Sequence, residues 1–98
     1  MSGPTNYIYY DDEFRRDVRK LPSGLQTKLA SLIEFLSQDH FDPRLHTKPL
    51  GSPLEGLYSF RITRDYRVGF FFSASHTIRL LAADHRSRIY KRLLRYRG

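Results

Sequence analysis

The chain contains 98 residues with no cysteine, a formal net charge of +7 and a pI of about 10.1. This length predicts one domain, residues 1–98, whose core is too small to enclose a large pocket, so an active site would be a shallow surface. The absence of cysteine excludes disulfides and thiolate metal sites, and no apolar run is long enough to cross a membrane.

The basic charge is concentrated in the second half of the chain. Residues 1–43 contain five Lys and Arg against seven Asp and Glu, whereas residues 44–98 contain twelve against three. This distribution suits a polyanionic partner, although a merely solvated basic face would give the same pattern. The N-terminal segment lacks the basic-then-apolar layout of a signal peptide, so a cytoplasmic protein is expected.

The N-terminal part of the chain predicts a short strand followed by a helical hairpin. Residues 6–10, NYIYY, favour a strand, and the acidic residues after them suit the start of a helix. Pro22 ends this helix, and Ser23 followed by Gln26 is a capping-box pattern that predicts the start of a second one. The two helices have apolar stripes at Phe14, Val18 and Leu21, and at Leu25, Leu29, Leu32, Ile33 and Leu36.

Residues 40–55 predict a surface connection, because their three prolines remove hydrogen-bond donors and break any periodicity. Such a long connection often carries function, here through Lys48. A structural strap over the sheet edge is the alternative.

From Gly56 onward, alternation with a period of two predicts an antiparallel meander of three strands. The strands contain YSFRI, YRVGFFF and TIRLLAADH, and the remaining residues predict a short basic helix or tail with Ile89, Leu93 and Tyr96 toward the protein. The predicted fold class is therefore α+β, with the N-terminal strand and helical hairpin packed on one face of an antiparallel sheet.

The alternation places two arginines on the sheet face opposite the core. A two-residue turn at residues 64–65 would oppose Ile62 to Arg67, whereas a loop over residues 64–66 opposes Ile62 to Val68 and keeps the apolar face intact. In that register Arg61 and Arg67 are diagonal neighbours, about 7–8 Å apart. The helices can cover only one face, so this one is expected to be basic, concave and free of helices.

A pair of guanidinium groups this close admits two explanations. An anion between them would relieve their repulsion, and the guanidinium fork fits phosphate oxygens well. Alternatively, each arginine is paired with an acid such as Asp84 or Glu55 and stabilises the fold.

The chain resembles the RelE/ParE superfamily of bacterial toxins in the order of its elements and in the sequences LEGLYSFRITRDYRVGFFF and HRSRIYKRL. The similarity covers about residues 7–93, and its specificity lies in the combination, in which KPLGSPLEGLYSFR leads to DYRV and then to H-R-x-x-I-Y. The resemblance implies the same fold and a toxin of a type II toxin–antitoxin system. RelE-type members cut mRNA in the ribosomal A site, whereas ParE-type members inhibit DNA gyrase without cutting RNA.

The resemblance also implies partners. A cognate antitoxin would neutralise the toxin and bind operator DNA, and mRNA and ribosomal RNA would be bound in the A site. The antitoxin is expected to be acidic or amphipathic and to lie on the sheet or the helical hairpin, because it must cover the basic half and the apolar positions Phe71, Leu81 and Leu94.

In the RelE branch, residues at the positions of Arg61 and Arg67 hold the scissile phosphate, and His85 and Tyr90 match the C-terminal pair of that branch. Ser59 and Arg61 stand where the best-known pattern has two lysines, so we expect proton transfer to fall to His85 or Tyr90, either as acid or as base. Tyr90 could equally stack on an mRNA base. The structural alternatives are that His85 caps the last strand and that Tyr90 packs at the sheet edge.

Cleavage by attack of the 2′-hydroxyl on its own phosphate needs a base, an acid and positive charge, but no metal or other cofactor. The four histidines match no recognised metal-binding spacing, so no metal site is expected. General contacts to RNA phosphates are assigned to Lys48, Arg64, Arg86, Arg88, Lys91 and Arg92.

Two other functions remain open at this stage. The first is a ParE-like gyrase inhibitor that acts by binding and not by catalysis. The second is a basic binding domain of the same fold that has lost toxicity, because residues 59 and 61 depart from the best-known active pattern.

Overall fold

The computed structural model describes residues 5–96, which form an α+β fold of three α-helices and a five-stranded mixed sheet. The sheet order is β1-β5-β4-β3-β2. In chain order the elements are β1 (Tyr7–Tyr10), α1 (Asp12–Lys20), α2 (Ser23–Gln38), β2 (Lys48–Pro49), β3 (Tyr58–Arg61), β4 (Tyr66–Ala74), β5 (Thr77–His85) and α3 (Ile89–Leu93). No helix within residues 5–96 is long and apolar enough to span a membrane.

The main core lies between the helical hairpin and one face of the sheet, as predicted. Phe14 of α1 and Leu29 and Leu36 of α2 pack with Phe60 and Val68, and all five are buried. The apolar stripes of both helices therefore face the strand positions that alternate inward.

Helix α1 also closes part of a sheet edge. Strand β1 runs parallel to β5 and pairs only with Thr77–Leu80, so the second half of β5 has no strand beside it on that side. The buried carboxylate of Asp17 accepts a hydrogen bond of 2.9 Å from the backbone N–H of Ala83 there. A side chain of α1 thus replaces a strand partner for a backbone group that would otherwise be unsatisfied.

The predicted capping box at the start of α2 is wrong. The N-cap is Pro22, and Ser23 is already the first helical residue. The side-chain amide of Gln26 instead donates hydrogen bonds of 2.9 Å to the carbonyls of Val18 and Leu21. Gln26 therefore supplies a partner for the carbonyl of Leu21 at the end of α1, and it adds a second donor to the carbonyl of Val18, which already accepts from the backbone N–H of Leu21.

The long connection after α2 is anchored at several points. A 3-10 turn spans Pro43–Leu45, and Leu45 and Leu54 are buried. Strand β2 pairs with β3 so that Lys48 lies opposite Ser59. The segment is therefore an edge strap, and the same strap carries Lys48 over the sheet.

The predicted register of the first hairpin is wrong by two residues. Arg61 lies directly opposite Arg67, and Phe60 opposite Val68. The loop is residues 63–65, where the hydroxyl of Thr63 accepts hydrogen bonds from the backbone N–H groups of Asp65 and Tyr66. A shift of two residues preserves the inward and outward faces, so hydrophobic alternation could not distinguish the two registers, whereas the turn contacts do.

The expectation of a helix-free second face is also wrong. Helix α3 packs on it, and a second apolar cluster forms from Leu54, Leu57, Leu81, Ala82, Ile89 and Leu93. Gly69 of β4 permits this approach, because a Cβ atom there would lie 2.5 Å from Cδ2 of Leu93. Leu81, expected to be exposed for an antitoxin, is 1% exposed in this cluster.

Candidate active site

A cluster of polar side chains lies on the second face of the sheet beside α3, and we call it the arginine–tyrosine cluster: Lys48, Ser59, Arg61, Arg67 and Tyr90. At its centre are Arg61 and Arg67, which lie directly opposite each other on β3 and β4. Both are half-buried, and no carboxylate within residues 5–96 forms an ion pair with either one. Two adjacent unpaired guanidinium groups create a strong positive potential at this point.

Arg67 is held in place by two hydrogen bonds. Its Nη1 donates to the hydroxyl of Tyr90 at 3.1 Å, and its Nη2 donates to the carbonyl of Arg64 at 3.2 Å. The Nε of Arg67 is buried and has no hydrogen-bond partner. The guanidinium group is therefore oriented by the protein but retains unused donor capacity.

Asp84 could have neutralised Arg67, since it lies directly opposite on β5. Its carboxylate instead accepts hydrogen bonds from Arg88 at 3.1 Å and from Arg92 at 3.0 Å. The C-terminal basic residues thus occupy the carboxylate that lies opposite Arg67. The structure does not support the alternative that Asp84 pairs with Arg67.

Lys48 enters the cluster from the edge strap. Strand β2 places it opposite Ser59, and its Nζ lies 5.7 Å from the centroid of the Tyr90 ring. The hydroxyl of Ser59 is neutral and supplies no charge at its position, but the neighbouring strand brings the ammonium group of Lys48 to the same part of the face. The sequence predicts Lys48 only as a general phosphate contact, because the pairing of position 48 with position 59 cannot be read from it.

The surroundings of Tyr90 lower the pKa of its phenol. Burial by itself would raise that pKa, but the hydroxyl of Ser59, the hydrogen bond from Arg67 and the positive charges of Arg67 and Lys48 outweigh it. The net result is a pKa below the ordinary value near 10. A larger fraction of Tyr90 is therefore available as phenolate near neutral pH.

His85 is not brought together with the cluster. It follows Asp84 on β5, so its side chain leaves the opposite face, and its ring packs edge-on against Tyr66 with a centroid distance of 5.5 Å. Nδ1 accepts a hydrogen bond of 3.1 Å from the backbone N–H of Ser87. These contacts match the structural alternative, in which His85 caps the end of the last strand.

Arg92, which the sequence assigns to RNA contact, forms ion pairs within the protein. Its guanidinium group pairs with the carboxylates of Glu13, Asp17 and Asp84, and its side chain is 24% exposed. The arginine therefore joins α3 to α1 and β5. Because three carboxylates already bind its donors, Arg92 has little capacity left for a phosphate.

The other basic residues predicted to contact RNA remain near the surface. Arg86 lies 3.5 Å from Asp65, and Arg88 lies 3.0 Å from Asp84, but both side chains are largely exposed. Arg64 and Lys91 are exposed as well. Within residues 5–96, no group of three His, Asp or Glu side chains is arranged to hold a metal ion.

Similar sequences and similar solved structures point to one family, although family models do not. No family model matches the chain. The toxin RelG of Mycobacterium tuberculosis is 38% identical over 80 residues, which cover 80% of this chain and 87% of RelG. The RelBE2 toxin–antitoxin complex of the same organism contains a chain with 31% identity and a TM-score of 0.64, covering 86% of this chain and 100% of that one.

More distant structures show the same fold. YafQ of E. coli has a TM-score of 0.72 at 17% identity, covering 87% of this chain and 98% of YafQ. A chain of the archaeal RelE–RelB complex of Pyrococcus horikoshii has a TM-score of 0.70 at 19% identity, covering 86% of this chain and 98% of its own. Taken with the identity to RelG over most of both chains, the shared fold means that this chain belongs to the RelE/ParE superfamily, the toxins of type II toxin–antitoxin systems.

Proposed function

We propose that this toxin is a ribosome-dependent mRNA endonuclease that inhibits translation in the cytoplasm and is neutralised by a cognate antitoxin. The observation that carries the proposal is the hydrogen bond between Arg67 and Tyr90, next to Arg61. It joins a phosphate-binding group to an ionisable group whose pKa is lowered. A nuclease needs both at the same phosphate. The antitoxin is proposed because relatives such as RelBE2 and archaeal RelE are found in toxin–antitoxin complexes.

In the proposed mechanism, the phenolate of Tyr90 takes the proton of the RNA 2′-hydroxyl, and the 2′-oxygen attacks the adjacent phosphorus. Arg61 and Arg67 stabilise the negative charge that develops on the phosphate oxygens, because an arginine stays charged at working pH. The bond to the 5′-oxygen then breaks, and that oxygen takes a proton from the ammonium group of Lys48. The products are a 2′,3′-cyclic phosphate and a 5′-hydroxyl.

This assignment differs from the sequence prediction in one role. His85 was the first candidate for proton transfer, but its ring contacts Tyr66 and Ser87 on the other side of the strand. Lys48 replaces it as the proposed acid, since its ammonium group approaches the ring of Tyr90. Tyr90 is the proposed base, whereas the sequence left both His85 and Tyr90 open as acid or base.

The test is primer extension on a defined mRNA in a purified translation system, with and without ribosomes. We expect cuts at the A-site codon that require ribosomes and that fall at least a hundredfold in rate in Arg67→Ala and Tyr90→Phe, since acid–base catalysis contributes roughly 10²–10⁴-fold. Arg79→Ala and Tyr96→Phe are matched controls: Arg79 pairs with Asp11, and the Tyr96 hydroxyl donates to Glu13.

Two outcomes would contradict the proposal. Intact mRNA from a protein that still arrests growth would indicate a ParE-like action on gyrase. Equal loss of cleavage in the Tyr90→Phe and Tyr96→Phe variants would show that the phenol of Tyr90 has no chemical role. The first result needs a growth assay of cells that express the protein, beside the gel, whereas the second is read from the gel alone.

A further inference from the structure

A second basic feature lies beside the arginine–tyrosine cluster and shares Arg61 with it. It is a pocket of ≈ 140 Å³ where α2, the 3-10 turn and the β3–β4 hairpin meet. Five of its lining residues are basic, and a hydroxyl joins them: Lys28, Arg44, His46, Arg61, Arg64 and Thr63. The mechanism proposed above uses only Arg61 of this set.

The positive charge of this pocket is largely uncompensated. Arg44 is paired with Asp42 through two hydrogen bonds, and its guanidinium lies 3.5 Å from the centroid of the Phe35 ring. Among the residues that the structure describes, no carboxylate pairs with Lys28, Arg61 or Arg64. Three unpaired cations around one concavity repel each other and concentrate positive potential inside it.

The backbone supplies a second, independent reason to place an anion there. The N–H of Ile62 donates to the carbonyl of Tyr66 on β4, so alternation directs the N–H of Arg61 to the opposite side of β3. On that side β2 has already ended, because its pairing with β3 covers only Tyr58 and Ser59. An amide donor of β3 is thus left beside the basic side chains, and backbone N–H groups are common ligands of phosphate.

The local chain geometry keeps the pocket open. His46, which lines the pocket, has a φ of 50°, the left-handed conformation, at the end of the 3-10 turn. At the other wall, the hydroxyl oxygen of Thr63 accepts from two backbone N–H groups, so its own hydrogen is free to be donated. Both walls are therefore held by the backbone, and the pocket does not depend on mobile side chains alone.

We infer that this pocket binds a second backbone phosphate of the RNA strand whose scissile phosphate lies between Arg61 and Arg67. The inference rests on the proposed function. Arg61 belongs to the arginine–tyrosine cluster and also lines the pocket, so we assign the two phosphates to neighbouring nucleotides of one strand. The pocket reads no base, and its role is to fix the register of the strand relative to Tyr90.

The first measurement is an NMR titration with inorganic phosphate, which needs no cleavage activity. We expect saturable chemical-shift changes of the backbone amides of Arg61 and Thr63. The phosphate affinity obtained from them should fall about fivefold in Lys28→Ala and stay unchanged in the matched control Lys20→Ala. Lys28 is exposed on α2, where alanine is an equally good helix former, so the variant is expected to fold.

The second measurement compares two uncleavable ligands, a deoxydinucleotide with one phosphate and a deoxytrinucleotide with two. Lys28→Ala should weaken the trinucleotide about fivefold and leave the dinucleotide unchanged. The slope of log K against log [salt] for trinucleotide binding should also become less steep by about 0.7 in this variant. Equal weakening of both ligands, or of neither, would overturn the inference.

The two proposals fail in different ways. If phosphate shifts the pocket amides but no ribosome-dependent cleavage is seen, the pocket stands as a phosphate site and the nuclease function fails. If cleavage is seen and Lys28→Ala weakens ribosome binding but not trinucleotide binding, the pocket serves ribosomal RNA and the inference of a second mRNA phosphate is wrong.

Discussion

Replacing Arg92 with methionine should destabilise the protein strongly, because one guanidinium group compensates three carboxylates. Methionine preserves the apolar stem but leaves Glu13, Asp17 and Asp84 without their shared partner. Breaking a buried ion pair by removing one partner costs about 3–5 kcal/mol. The side chain of Arg92 is 24% exposed and that of Asp17 only 8%. Since water recovers part of the loss at the exposed side, we expect about 2–4 kcal/mol.

The assay is urea unfolding at neutral pH, with Arg95→Met as the matched control. Arg95 is on the same C-terminal segment and also pairs with Glu13, but its side chain is 63% exposed. An exposed pair contributes only about 0–1 kcal/mol. The two variants therefore lose the same type of group but differ in its burial and in the number of carboxylates that it pairs with, three for Arg92 and one for Arg95. In a parallel thermal melt, the expected decrease in melting temperature for Arg92→Met is about 8–32 °C.

The pH dependence of this effect has a defined sign. Hydrogen bonding to Arg92 lowers the pKa of Glu13 despite some burial. Burial raises the pKa of Asp84, but hydrogen bonds from Arg88, the backbone of His85 and Arg92 lower it by more. A carboxyl group with a lowered folded-state pKa stabilises the protein above its unfolded pKa, near 4, and this contribution is lost as pH falls through the folded value.

The difference between the wild-type protein and Arg92→Met should therefore shrink below about pH 4. A difference that is the same at pH 7 and pH 3, or that equals the Arg95→Met effect, would refute the assignment of Arg92 as the charge that joins α3 to α1.

Three further predictions concern the site. Single-turnover cleavage should increase with pH as Tyr90 ionises. Lys48→Gln removes both the proposed acid and a charge that lowers the Tyr90 pKa, so the cleavage that remains should be slower and its midpoint should move to higher pH; an unchanged midpoint would exclude this coupling. Gly69→Ala should cost about 1–3 kcal/mol in urea unfolding, because its Cβ would overlap α3, whereas Gly24→Ala has open space and should gain up to about 1 kcal/mol. His85→Gln should retain cleavage within about threefold, and a loss comparable to that of Tyr90→Phe would return the histidine to the reaction.

Much of the fold could be predicted because the relevant interactions are local or periodic. The hairpin of helices follows from the spacing of Leu29, Leu32 and Leu36 and from the break at Pro22. The three leucines are buried on one face of α2, and Pro22 is its N-cap. The order of the strands in the meander follows from short connections between alternating segments. The presence of Arg61 and Arg67 on one face follows from parity alone, which is why an error of two residues in register left it intact.

The distribution of free charge over the folded protein could not be predicted from the sequence. The acidic first half and the basic second half suggested an uncompensated basic surface. In the folded chain, Glu13 and Asp17 of α1 lie against Arg92, and Asp11 lies 3.0 Å from Arg79, so part of the basic charge is neutralised by residues distant in sequence. Which cations stay free depends on contacts between helices, and no window of sequence contains both partners.

The sequence by itself determined the fold class, the face on which Arg61 and Arg67 lie and, through its motifs, the toxin family. Only the tertiary structure decided which residues share the site: Lys48 approaches Tyr90 through pairing of β2 with β3, while His85 leaves the opposite face of β5. The physical reason is that periodicity fixes the face of the sheet on which a side chain lies, whereas strand pairing and helix packing fix which other side chains surround it. Those are long-range contacts, set by the whole core and not by the local sequence.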